Sequence, residues 1–194
     1  MHIRSFLLLL LWLPALSLQG QANFEELLLS ADMRFSPPEG MEEVALHENR
    51  QMNYEYAMKI PGKKFEARWA IRPLQPWLED HEAAKQDSNQ ISIHPNELYR
   101  SLMMATVLNI SGGKMTEIGD FPPAAVQREF GADWGATAFV PAGEEFGPGY
   151  DYVMMIALHK DDKADAYIFF LMTEELAEEA QDLMMPFFYA LRFN

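Results

Sequence analysis

Residues 150–173 read YDYVMMIALHKDDKADAYIFFLMT, two apolar runs that flank a short charged stretch. If the turn is centred on Asp162, the runs pair as antiparallel strands and His159 faces Asp165. Successive side chains of a strand point to opposite faces, so both faces of this hairpin are almost entirely apolar. A strand pair of this kind has to be covered on both faces. The hairpin is therefore predicted to lie in the middle of a layered structure.

A second hairpin is predicted in residues 52–72, where apolar and polar residues alternate on both sides of a Pro-Gly turn. The favoured register pairs Tyr56 with Trp69. It also pairs Tyr54 with Ile71, and it gathers aromatic side chains on one face and charged side chains on the other. A slip of one residue would place aromatic side chains opposite charges. We therefore expect one face of this hairpin to lie in the core and the other to face solvent.

Three helical segments separate and follow these strands in the sequence. The first opens at Pro95, and its predicted buried stripe consists of Leu98, Leu102, Ala105 and Leu108. A short second helix ends at Phe130, with Gly131 as its C-terminal cap. The third starts at Thr173, and its apolar stripe extends to Leu191. The segments predict an α+β protein with a single, mainly antiparallel β-sheet and helices on both faces, an α/β/α sandwich.

The segment from Phe35 to Met41 reads FSPPEGM and is similar to the Phe–Pro–Gly–Trp start of the PsbP-like fold, which is named for an extrinsic photosystem subunit. The long central hairpin and a C-terminal helix followed by Phe193 also resemble that fold. The likeness spans residues 34–193, and Met41 stands where the family has Trp. It implies an α/β/α sandwich, a fold that hosts unrelated binding and scaffolding roles. No functional residue of the family is carried over.

The composition excludes several classes of protein. The chain has 194 residues, 49% hydrophobic and 12% aromatic, with a formal charge of -14 and no cysteine. Its length and apolar content are typical of a globular protein. The absence of cysteine excludes disulfide scaffolds, thiol nucleophiles and cysteine-ligated metal centres. The acidic balance argues against nucleic-acid binding, which depends on basic patches.

The first 22 residues are predicted to be a cleaved signal peptide. Arg4 provides a short basic start, residues 6–13 form an apolar run, and small residues lead to a cleavage site after Ala22. We therefore expect a single globular domain over residues 23–194, located in the periplasm or outside the cell. No other stretch is long and apolar enough to cross a bilayer, so no membrane span is predicted in the mature chain.

His159 and Asp165 form the candidate polar pair of the central hairpin. A carboxylate orients a histidine ring for acid–base chemistry, which suggests a hydrolase that uses His159 with its acidic neighbours. The pair is expected near the turn, where water reaches it, and the sequence places no nucleophile beside it. A structural role is therefore predicted for the pair, with the hydrolase as the alternative.

Two glycine-rich segments, residues 131–135 and 146–150, are the candidate ligand-binding surface. Their glycines allow close approach of the backbone, and a stacking wall of Trp134 and Tyr150 is the hypothesis for a binding role. Packing of these two aromatic side chains in the core is the favoured prediction. The candidate ligand-binding residues are Asp133, Trp134, Tyr150, His159 and Asp165. No residue is assigned a catalytic role, and no metal site or cofactor is assigned.

The chain contains 13 methionines, including three adjacent pairs. In an exported protein, soft thioether ligands suggest copper(I) binding. Adjacent residues point in different directions on a strand or a helix, so these pairs do not build a cluster of sulfur ligands. The methionines are therefore predicted to fill gaps in the core. Metal handling through methionine or acidic side chains stays as a third hypothesis.

The sequence favours an exported, non-catalytic binding or accessory module whose partner is an unknown protein or small-molecule ligand. The observation behind this prediction is a self-sufficient core without a complete catalytic motif. The two alternatives are the hydrolase and the metal-handling protein.

Overall fold

The computed structural model describes residues 16–86 and 92–194, with side chains from Asn23 onwards. Residues 1–15 of the predicted signal peptide lie outside the described part of the chain. The helices are α1 (Leu16–Ser30), α2 (Gln75–Ala84), α3 (Tyr99–Ile110), α4 (Pro123–Phe130) and α5 (Ala180–Phe188). The strands are β1 (Met33–Phe35), β2 (Glu42–Glu43), β3 (Tyr56–Lys59), β4 (Phe65–Pro73), β5 (Ile118–Asp120), β6 (Trp134–Pro141), β7 (Tyr152–Lys160), β8 (Ala164–Met172) and β9 (Leu191–Phe193).

These elements form an α+β structure around one seven-stranded antiparallel sheet. Its strand order is β2-β3-β4-β8-β7-β6-β5, and β1 pairs separately with β9. β8 and its neighbour β7 lie inside the sheet, while the three-residue strand β5 forms one edge. The α+β class and the antiparallel sheet are therefore confirmed. Within residues 16–86 and 92–194, no helix is long and apolar enough to cross a membrane.

The central hairpin has the predicted register. Tyr152 pairs with Met172 and His159 pairs with Asp165 along β7 and β8. Every residue of β8 is buried, because the strand has neighbours on both sides and apolar side chains above and below it. The predicted burial of both faces of the hairpin therefore holds for all of β8 and for most of β7, in which Tyr152, Met154 and Lys160 are half-buried.

Two apolar clusters lie against opposite faces of this hairpin. The first contains Ile156 and Ile168 together with residues of α1, α4 and α5. The second contains Met155 and Phe169 together with residues of α3. Because residues 155 and 156 are successive, as are 168 and 169, their side chains point to opposite faces of the sheet. The two clusters therefore account for the burial of β8.

In the first hairpin, the register is confirmed only up to Tyr56. Tyr56 pairs with Trp69, but β3 begins there, and the predicted pairing of Tyr54 with Ile71 is wrong. The Glu55 carboxylate accepts a hydrogen bond from the Ile71 N–H at 3.1 Å, which takes the place of a backbone partner. The Tyr54 ring then packs in the second cluster, against Phe146 at 6.3 Å between centroids.

The prediction that the charged face of this hairpin meets solvent is also wrong. Arg68 on that face is only 2% exposed. Its guanidinium donates to the Glu66 carboxylate and to the carbonyl oxygen of Phe146. The guanidinium carbon also lies 4.6 Å from the centroid of the Tyr54 ring. The face is buried because these loop residues pack over it and satisfy the charges.

The predicted buried stripe of the first helix is wrong by one residue of phase. A 3₁₀ turn over Pro95–Glu97 precedes α3, which begins at Tyr99. The buried residues of α3 are Met103, Thr106, Val107 and Ile110. Ala105, which was expected to be buried, is exposed. The shift turns Tyr99 toward the sheet.

The two C-terminal predictions have different outcomes. Gly131 ends α4 with φ 65°, as predicted for a left-handed C-terminal cap. The third helix is shorter than expected, because a 3₁₀ turn over Glu174–Glu179 precedes α5. Leu191 belongs to β9 rather than to the helix, and it pairs with Phe35 of β1.

Candidate functional site

The candidate site lies at one end of the β6–β7 strand pair. Trp134, the first residue of β6, faces His159 near the end of β7. The N-terminus of α3 brings Tyr99 to the same place, where its ring stacks on the His159 imidazole with 4.3 Å between centroids and 19° between planes. Tyr99 also contacts the Trp134 ring at 4.7 Å. Three rings from a helix and two strands therefore meet here.

Both ring nitrogens of His159 are hydrogen-bonded to carboxylates. Nδ1 lies 2.7 Å from Oδ1 of Asp165, and Nε2 lies 3.0 Å from Oδ1 of Asp161. The side chains of His159 and Asp165 are 1% and 2% exposed, whereas that of Asp161 is 63% exposed. The expectation that water reaches the His159–Asp165 pair is therefore wrong, because Tyr99 covers the imidazole.

A charged imidazole satisfies both of these contacts at once. A neutral histidine carries one N–H and one lone pair, and a lone pair cannot bond to a carboxylate. Burial is the largest single influence and lowers the pKa of His159. The hydrogen bonds and charges of Asp165 and Asp161 together outweigh it, so the pKa is raised above its ordinary value. In its protonated form His159 has both N–H groups engaged by carboxylates, which leaves no nitrogen lone pair to act as a general base.

Asp133 stabilises the turn beside His159. Its backbone N–H donates to the carbonyl oxygen of His159 at 2.8 Å. Its carboxylate accepts from the backbone N–H of Asp161 at 3.0 Å. Asp133, Trp134, His159 and Asp165 are therefore brought together, as parts of one hydrogen-bonded end of the sheet.

Tyr150 does not belong to this group. It lies just before Tyr152, which pairs with Pro141 at the far end of the β6–β7 pair. Pro141 is seven positions after Trp134 along β6, about 23 Å of strand at 3.3 Å per residue. The Tyr150 hydroxyl donates to the Glu66 carboxylate at 3.0 Å, and burial followed by the charge of Glu66 raises its pKa. Trp134 and Tyr150 therefore do not form a stacking wall. Both are half-buried and pack against the second apolar cluster, in line with the favoured prediction of core packing.

A surface groove of about 240 Å³ opens beside Trp134. Its lining consists of Arg100, Met103, Met104, Ile118, Asp120 and Trp134. Met104 is 45% exposed, whereas its neighbour Met103 is buried. The groove runs between α3 and the edge strand β5, and we call it the Trp134 groove.

One ion pair provides the polar part of the Trp134 groove. The Arg100 guanidinium donates to both oxygens of Asp120, at 3.2 and 2.9 Å. Its central carbon lies 5.1 Å from the centroid of the Trp134 ring. The Trp134 indole N–H donates to Asp120 at 3.3 Å. The Arg100–Asp120 ion pair therefore holds the Trp134 indole and the guanidinium side by side on the wall of the groove. Met104 and Ile118 contribute the apolar part of the lining.

Sequence reasoning missed Tyr99, Arg100, Met104 and Asp120. The error in helix phase hid the first three, because it turned the wrong face of α3 toward the sheet. The 3₁₀ turn at Pro95–Glu97 was the available signal, since a Pro at the first position fixes where the turn starts. Asp120 lies on a three-residue strand, which is too short for a period-two pattern.

A second depression of about 590 Å³ is lined by Arg50, Gln51, Leu108, Asn109, Gly112, Gly113 and Glu145. It is wider and shallower, and it has no aromatic side chain. Its ion pair, Arg50 with Glu145 at 2.8 Å, lies largely in solvent. It offers fewer specific contacts than the Trp134 groove.

Among residues 16–86 and 92–194, no group of three or more His, Asp or Glu side chains is arranged to hold a metal ion. No family model matches the chain, and none of the curated proteins searched is a significant match. The geometry of the site is therefore the basis for a functional proposal.

Proposed function

We propose that this protein is an exported, non-catalytic binding or accessory module and that the Trp134 groove is its ligand site. The observation that carries the proposal is the contrast within the site. A groove lined by partly exposed aromatic and sulfur-containing side chains adjoins a histidine whose two nitrogens are already bonded. Binding surfaces combine apolar area with a few fixed polar groups, as Arg100 and Asp120 provide here.

The volume of the groove limits what it takes. Enclosed sites for small molecules typically measure about 300–1,000 Å³. At about 240 Å³ and open to solvent, the Trp134 groove suits one aromatic or apolar group. That group belongs either to a small molecule or to a side chain of a partner protein, and it packs against Trp134 and Met104.

We further propose an α/β/α sandwich of PsbP-like type for the whole domain over residues 23–194. The two apolar clusters support it, since α3 contributes to one and α1, α4 and α5 contribute to the other. Such a fold serves as a scaffold for binding roles.

Export to the periplasm or the cell exterior is also part of the proposal. Phe24 is buried, stacks on Tyr56 at 5.0 Å and contacts Phe35 at 5.2 Å. Cleavage after Ala22 would therefore retain this core residue. N-terminal sequencing of protein from the culture medium or periplasm should begin at Asn23, and a start beyond Phe24 would contradict the proposed site.

Screening an aromatic fragment library against residues 23–194 by ¹H–¹⁵N NMR tests the ligand site. We expect hits to shift the amides of Arg100, Met104 and Ile118 and the indole N–H of Trp134. W134A should lose these hits, whereas W77A, which removes a 42% exposed tryptophan on α2, should keep them. Hits that survive in W134A, or that map only to the Arg50 depression, would contradict the proposal.

A hydrolase is the second candidate, and the 2.7 Å contact between His159 and Asp165 favours it. It would require Asp161 to leave Nε2. Generic ester, phosphate and glycoside substrates should be tested with wild type and H159A. Turnover that H159A abolishes would overturn the binding module.

Stoichiometric copper or calcium in protein purified without chelator would instead support metal handling.

A further inference from the structure

We propose that His159 is the positioning residue of the Trp134 groove and that its second ring proton fixes the groove geometry through Tyr99. This inference rests on the proposed function, since the groove matters only if it binds. The contacts run from His159 to Tyr99 at 4.3 Å and from Tyr99 to Trp134 at 4.7 Å. The next residue of α3, Arg100, carries the polar part of the groove.

Tyr99 links His159 to Trp134 because its ring contacts both side chains. Its ring is nearly parallel to the imidazolium, so a positive charge lies against its π face, an arrangement that is attractive for a cation. The Tyr99 ring also contacts the Trp134 ring, and its centroid lies 5.7 Å from the central carbon of the Arg100 guanidinium. Loss of the charge removes the attraction that positions Tyr99.

The charged and titratable groups around His159 come from every element packed against it. Asp165 of β8 and Asp161 of the turn bond to its ring, and Tyr99 of α3 stacks on it. Asp133 bonds to its backbone and to that of Asp161. One step further out are Asp162, bonded to Asn96, and Arg72, which faces Asp165 from β4 and is paired with Glu55. The buried hydroxyl of Tyr167 on β8 also interacts with the Asp165 carboxylate. The groups that touch the ring are thus two carboxylates and a phenol.

Deprotonation of His159 affects its two carboxylates unequally. Asp165 is 2% exposed, and its second oxygen is buried without a hydrogen-bond partner, so it keeps the Nδ1–H. Asp161 is 63% exposed and is stabilised by water instead when Nε2 loses its proton. The Nε2 proton is therefore the one that leaves. The turn at Asp161 then loses its hydrogen bond to His159, and Tyr99 loses the cationic ring on which it stacks.

The experiment follows the indole N–H of Trp134 and the ring resonances of His159 by NMR between pH 5 and 10, without any ligand. In the wild type, the chemical shifts of both groups are expected to change with pH and to share one titration midpoint. D161N removes one carboxylate that supports the imidazolium, so the shared midpoint should move to lower pH. D162N makes the same charge change one residue away, without contacting His159, and should leave the midpoint unchanged.

H159Q removes the titrating ring and should abolish that inflection at Trp134. If H159Q fails to fold, the comparison of D161N with D162N decides alone. The inference would be overturned if the chemical shift of the Trp134 indole N–H did not change with the titration of His159. It would also be overturned if D161N and D162N moved the midpoint equally. Because no ligand is present, this result is independent of the fragment screen, which alone tests whether the groove binds.

Discussion

Nδ1 of His159 lies 2.7 Å from Oδ1 of Asp165, and both side chains are almost completely buried between the sheet and α3. A buried ion pair contributes little net stability when it is intact, because desolvation offsets the attraction. Removal of one partner is costly, because it leaves an uncompensated charge. The pair therefore matters most for the integrity of this end of the sheet.

D165A should destabilise the protein by about 3–5 kcal/mol, because it leaves the His159 imidazolium buried beside a cavity. Urea unfolding at pH 6 measures this loss. The control is D161N, whose side chain faces solvent and should cost far less. Equal losses for the two variants would show that the buried contact is not the dominant one.

The stability of the protein should depend on the proton of His159. A histidine whose folded pKa is raised contributes stability that is complete below its unfolded pKa of about 6.5 and is lost as the pH rises through the folded value. The difference in unfolding free energy between wild type and H159Q should therefore be largest near pH 5.5 and shrink toward alkaline pH. Urea denaturation across that range provides the measurement. A difference that grows with pH would mean that His159 is buried as a neutral ring.

R68A should lower the unfolding free energy by about 3–5 kcal/mol, because the Glu66 carboxylate would be left nearly buried with the Tyr150 hydroxyl but without its cationic partner. The hydrogen bond from Arg68 to the Phe146 carbonyl would be lost as well. The matched control is R50A, which breaks an ion pair that lies in solvent and should unfold close to the wild type. Comparable thermal midpoints for R68A and wild type would contradict the buried state of this face.

G131A should be more destabilising than G149A. Both glycines have positive φ, 65° and 81°, so any side chain is strained at either position. At Gly131, an added Cβ would also lie 3.0 Å from the carbonyl oxygen of Phe193, whereas nothing lies within 4 Å at Gly149. We expect each variant to lose about 1–3 kcal/mol of unfolding free energy through backbone strain. G131A should lose more, because of the close contact with Phe193. Equal losses in chemical denaturation would mean that Phe193 moves freely.

The strands of the core were predictable from the sequence because their register follows from local pattern. Period-two alternation and a turn at Asp162 were enough to align His159 with Asp165. Pairing of Tyr56 with Trp69 followed in the same way. Each pair is set by residues close in sequence, so no knowledge of the rest of the fold was required.

The candidate site was only half predictable, because its other half depends on contacts between distant segments. Tyr99 and Asp120 reach the site through the start of a helix and a three-residue edge strand. Tyr150 was misplaced because a glycine-rich loop carries no period, and its position depends on Glu66, 84 residues away. Packing of distant segments, rather than local propensity, decides such positions.

The charged, doubly bonded state of His159 is tested most directly by the ¹⁵N chemical shifts of its two ring nitrogens at pH 6.5 in wild-type residues 23–194. We predict that both nitrogens are protonated and that each shows a one-bond coupling to its own hydrogen. A neutral ring with an unprotonated Nε2 would contradict this account, because it would leave a free base beside the Trp134 groove.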